Sequence, residues 1–141
     1  MTSLLQRFST MTNAFVLATA LLLGYTNGAI ANEHEAQCFS NIQGKIAWDD
    51  AGNVNWDAEN VKHLCAGTSK PEEPGKCFSA VNSEHAKGAV NWGKGTEWEW
   101  RNIINLCSGS NDAEKTVTCF KNGIKAGTDW RQVILFCQRA M

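Results

Sequence analysis

Apolar residues recur at helical spacing in three stretches that each end on a cysteine. Trp100, Ile103, Ile104 and Cys107 form one stripe, Trp130, Val133, Ile134 and Cys137 a second, and Val61, Leu64 and Cys65 a shorter third. Recurrence at three and four residues puts such side chains on one face of a helix. Upstream of each stripe lies a second, weaker helical stretch, clearest where Val117, Phe120 and Ile124 share a face behind the cap-like run Asn111-Asp112-Ala113-Glu114. Polar residues supply start signals: Thr96-Glu97-Trp98-Glu99 reads as a capping box, and Asn55 and Thr128 as caps of their helices. Gly67 and Gly109, each two residues past a cysteine, can take the left-handed conformation that ends a helix. The Gly-, Asn- and Asp-rich stretches 44–55 and 87–96, and the Pro71/Pro74 segment, read as loops.

Cysteine placement turns these helices into a repeating pattern. Three openings read Cys-Phe (Cys38-Phe39, Cys77-Phe78, Cys119-Phe120), and three closings put an apolar residue before the cysteine (Leu64-Cys65, Leu106-Cys107, Phe136-Cys137). Closing and next opening cysteines are 12 apart both times, whereas the spans inside the units are 27, 30 and 18 residues. Length variation therefore falls within a unit, and the third unit is truncated. The units cover about 38–67, 77–109 and 119–137. Two helices folded back on each other bring the start of the first beside the end of the second. This favours Cys38–Cys65, Cys77–Cys107 and Cys119–Cys137. Bonds across the two equal gaps, with Cys38–Cys137 closing the set, are the competing arrangement. The fold expected is all-α: a small disulfide-stapled repeat of three helical hairpins, the third shortened.

The first 31 residues differ in kind. Arg7 is their only charge, an apolar run spans Ala14 to Leu23, and Ala29-Ile30-Ala31 places small residues where a signal peptidase requires them. The run is half the roughly 20 residues needed to cross a bilayer as a helix. A secretory signal cleaved after Ala31 is expected, leaving one domain over 32–141, secreted or periplasmic. An oxidising compartment fits an even number of cysteines in a short exported chain. Metal ligation by these cysteines would need closer spacing than the 12 residues of the nearest pairs.

Charge narrows the partners. Losing the leader removes one cation, leaving 12 Lys and Arg against 14 Asp and Glu with no basic run. That balance excludes binding driven by phosphate contacts or by an anionic membrane surface. No catalytic residues are assigned. Glycine loops for phosphate and nucleophile elbows are absent, Ser83 and His85 would not face each other on a helix, and no cofactor is implied. Asp49, Asp50, Asp57, Glu97 and Glu99 flank tryptophans as a glycosidase cleft would require, yet acidic residues also belong at helix starts.

Tryptophan is the unusual residue, six in number. Trp100 and Trp130 belong to the helical stripes and hence to the core. Trp48 and Trp92 fall in loop-like stretches, so Trp48, Trp92, Lys94 and Trp98 form the candidate binding set. A mature terminus Asn32-Glu33-His34 would offer an amine, two backbone nitrogens and the His34 imidazole to Cu(II) or Ni(II), and to no ion if cleavage shifts by one residue. The function expected is a non-enzymatic exported protein that recognises another protein, in the manner of an inhibitor or immunity factor. Carbohydrate or cell-wall binding, with or without hydrolysis, is the main alternative, and a secreted effector or toxin the other.

Overall fold

The computed structural model describes residues 26–86 and 100–138, with side chains over 33–82 and 100–138. Six helices follow one another without a strand among these residues: α1 (Thr26–Ile42), α2 (Ala58–Cys65), α3 (Glu73–Ala86), α4 (Trp100–Cys107), α5 (Ala113–Lys125) and α6 (Trp130–Gln138). Disulfides join them two by two: Cys38–Cys65 between α1 and α2, Cys77–Cys107 between α3 and α4, and Cys119–Cys137 between α5 and α6. The cross-gap pairing is not the one adopted. Six residues to a side, the cystines lie inside the core with their helix stripes: Val61 and Leu64, Ile103, Ile104 and Leu106, Val133 and Ile134 are all buried.

The pairs are arranged in a row. The middle pair packs on both neighbours, α3 against α1 and α5, α4 against α2 and α6, and the helices of the first pair make no contact with those of the third. Phe78 and Phe120, following their opening cysteines, are fully buried, while Phe39 in the first pair is half-buried. Phe78 meets the Trp56 indole of the first pair edge-on, with ring centroids 4.7 Å apart.

Polar ties lock neighbour to neighbour. Gly67 and Gly109 both have positive φ, +79° and +66°, as helix-stop glycines do. At Gly109 the requirement is also steric, because a Cβ would lie 2.6 Å from the Ala66 carbonyl oxygen. The Gly109 amide donates to Leu64 O at 3.0 Å, and Ser108 Oγ donates to His63 O at 2.6 Å. Asn111 Oδ1 accepts from the Ser69 and Lys70 amides at 2.7 and 3.1 Å. Between the middle and last pairs, Glu73 Oε2 accepts the Ala113 amide at 2.9 Å, so a side chain of α3 caps α5. That bond, and then Lys76 at 2.9 Å, hold the Glu73 carboxyl below its ordinary value.

Several local expectations are corrected. The N-cap of α2 is Asp57, not Asn55: its carboxylate accepts the Glu59 amide at 2.8 Å. At α6 it is Asp129, not Thr128, that accepts from the Arg131 amide, at 3.0 Å. A carboxylate one or two residues downstream satisfies the same exposed amides and adds favourable charge to the helix start. Pro74 is not loop but sits in the first turn of α3, where a missing N–H leaves no bond unmade. The Asn111-Asp112 signal divides its labour: Asp112 caps α5, and Asn111 ties the pairs together. Thr96–Glu99 lies outside the described residues. None of the helices described is long and apolar enough to cross a membrane.

Candidate functional site

The connection from α1 to α2, residues 43–57, is irregular but strongly anchored. Trp56 is 7% exposed, and its indole N–H donates to Ile46 O at 2.8 Å. Gln43 Nε2 donates to Trp56 O at 3.2 Å. Two backbone bonds then run across the loop, Gly44 N to Val54 O at 3.1 Å and Trp48 N to Asn53 O at 2.9 Å. At the tip the Asp49 carboxylate accepts from the Asn53 amide at 2.8 Å and from the Asn53 side chain, and Gly52 takes φ +81° to close the turn. Those Asn53 bonds, the side-chain one foremost, hold the Asp49 carboxyl below its ordinary value. A carboxyl stabilised as the anion holds a turn well and donates a proton poorly.

The anchored loop delivers Trp48 to the start of α4. Its ring meets Trp100 edge-on with centroids 5.6 Å apart, and the Arg101 guanidinium lies 4.5 Å from the centre of the Trp100 ring. Trp48 is therefore not a free loop indole: it is half-buried, packed against the core. Trp100 was expected in the core and is likewise only half-buried, as is Trp130, which carries Arg131 over its ring at 4.4 Å. The helical stripe places an aromatic at the first position of α4 and of α6, where the face turns towards the edge of the packed layer. The fully sequestered indole is Trp56, which no local pattern singled out, because its partners Ile46 and Phe78 lie 10 and 22 residues away. Trp48 Nε1, Gln43 Oε1 and Asn82 Oδ1, around this same loop, are buried and without a hydrogen-bond partner.

The structure thus assembles Trp48, Trp100 and Arg101 into one aromatic and cationic cluster. Trp92, Lys94 and Trp98 lie outside the described residues. Among the flanking carboxylates, Asp57 is committed to capping and Asp49 to its turn. His34 sits half-buried in α1, which runs unbroken through Asn32 in the uncleaved chain. Among the described residues no group of three or more His, Cys, Asp or Glu side chains could hold a metal ion.

A second surface lies at the far end of the row. Leu135 and Phe136 of α6 are 55% and 75% exposed. Phe136 borders a groove of about 520 Å³ between α5 and α6, floored by Gly123 and Val133.

No protein-family model, no curated protein and no solved structure matches the chain.

Proposed function

We propose that this is an exported binding protein without catalytic activity, which recognises another protein through the cluster of Trp48, Trp100 and Arg101, extended by Trp92, Lys94 and Trp98. The observation that carries this reading is the cluster itself. Half-exposed indoles stacked with an arginine are the side chains that dominate the energy of protein interfaces, because they bury much area at little entropic cost. Here the indoles are set by a loop whose own anchors are buried, so the surface is preorganised. An inhibitor or immunity-type factor is the specific form that fits a small, rigid, nearly neutral scaffold.

Export rests on the leader over 1–31 and on the three cystines, which suit an oxidising compartment. We read the three disulfide-closed pairs as one triplicated hairpin, shortened in its last copy, because the openings, closings and 12-residue gaps coincide. Cleavage after Ala31 would also free the amine that, with His34, completes a Cu(II) site. N-terminal sequencing of exported protein, then copper titration, checks both points.

The functional test compares wild-type protein with Trp48→Ala and Arg101→Ala as bait in the producing organism's extracytoplasmic fraction. A protein retained by wild type and lost with both variants, while melting curves show them folded, supports the reading. A saturable change in tryptophan fluorescence with oligosaccharides or cell-wall fragments overturns it in favour of carbohydrate. Toxicity of the purified protein to other cells would instead mark an effector.

A further inference from the structure

Counting back from each closing cysteine separates two faces of the second helix. Three residues before it stand Lys62, Ile104 and Ile134, and one residue before it Leu64, Leu106 and Phe136. Two positions apart on a helix is about 200°, so these sets lie on opposite flanks. The burial pattern tells which flank faces which neighbour. Ile104 and Ile134 are buried at 2% and 5% in the two pairs that have a predecessor, whereas Lys62, in the pair without one, is solvent-facing. Leu64 and Leu106 are fully buried in the two pairs that have a successor, whereas Phe136, with none, is 75% exposed.

The two open ends are therefore finished differently. At the first, a lysine replaces the isoleucine of its counterparts. At the last, the apolar residue is kept and enlarged, and the residue two before the cysteine, polar and exposed as His63 and Asn105, becomes Leu135. A row of helix pairs needs polar outer faces to stay separate in solution, and only the first end has one.

We infer that the α5–α6 end is a contact surface for a second copy of the chain, in a two-fold symmetric dimer that puts Phe136 of each copy in the groove beside Gly123 of the other. A head-to-tail arrangement would press Phe136 against an end carrying the charged Lys62. The symmetric one matches apolar surface with apolar surface and closes at two. Helices of 13 and 9 residues offer on the order of 500 Å² per copy, below the roughly 800 Å² of a standard interface, so dissociation constants fall in the micromolar range. The face is separate from the Trp48–Trp100–Arg101 cluster, so the dimer presents two copies of that cluster.

Sedimentation equilibrium of the fully oxidised full-length protein, from low micromolar to near millimolar concentration, tests this. The expected result is a reversible monomer–dimer equilibrium. Phe136→Asp and Leu135→Asp, exposed substitutions that leave the melting curve in place, weaken it at least tenfold, and Lys62→Glu leaves it unchanged. A monomer throughout the range overturns the inference. So does a dimer indifferent to Phe136→Asp, or association that continues past two and responds to Lys62→Glu.

Discussion

The first and third helix pairs solve one problem in opposite ways. Cys38–Cys65 closes a span of 27 residues and Cys119–Cys137 one of 18, yet their Cα atoms stand 5.7 and 5.8 Å apart. In the first pair the extra chain becomes the 43–57 connection, which contributes Trp56 to the core. In the third, only residues 126–129 separate the helices, and they close directly: a Cβ at Gly123 would lie 2.6 and 2.8 Å from the two Val133 methyls. Gly123 stands four residues past its cysteine, where the first two pairs have the buried Ile42 and Val81. A long connection is thus stabilised by burying a large side chain, a short one by removing a side chain altogether. The cystine geometry is indifferent to the choice.

The comparison can be broken most forcefully at Trp56. Trp56→Ala should cost about 3–5 kcal/mol, as buried tryptophans do, read as a lower urea midpoint. It should also free the 43–57 loop, seen as faster amide exchange there, while exchange in α5 and α6 is unaltered. Next come the bonds themselves. Replacing Cys38 and Cys65 together by serine, or Cys119 and Cys137 together, should each cost about 3 kcal/mol, the longer loop more by only about 0.4 kcal/mol because closure entropy grows with the logarithm of length. A much larger gap would mean that the 43–57 loop stays ordered in the unfolded chain. Gly123→Ala follows: a helix interior ordinarily gains up to about 1 kcal/mol from this change. Here overpacking against Val133 reverses the sign, at about 1–3 kcal/mol. Gly123→Ala combined with Val133→Ala should recover part of that loss.

The smallest effect is a titration. Glu73 is held below its ordinary value by the Ala113 amide and then Lys76. Near pH 4 the unfolded chain therefore binds more protons at this site than the folded one. Its contribution is complete above the ordinary carboxylate range and is lost as pH falls through the lowered folded value. Glu73→Gln should cost about 1 kcal/mol at neutral pH, and the difference from wild type should shrink in acid. A difference constant from pH 7 to pH 3 would refute the capping role.

The helices, the cystines and the stop glycines are legible in the chain because their causes are local or strictly spaced. Ile103 to Cys107 announces a buried face within five residues, and the equal gaps leave few ways to pair six thiols. Trp56, Glu73 and Asn111 are not legible in this way. Each acts on a partner 22, 40 or 42 residues distant, and nothing in the neighbouring sequence records that contact. The exposure of Phe136 is opaque for a related reason. Its local pattern equals that of Leu64 and Leu106, and only the lack of a following pair separates them. Of the candidate site, Trp48 was found, but as a loop indole rather than one packed edge-on to Trp100.

Because the end pairs never touch, everything they exchange passes through Cys77–Cys107 and the two helices it joins. The central pair is thus the hinge-pin of the molecule. Reducing that one bond should uncouple the termini from each other, so that a single cooperative melt splits into steps, while reducing either outer bond should merely fray one extremity.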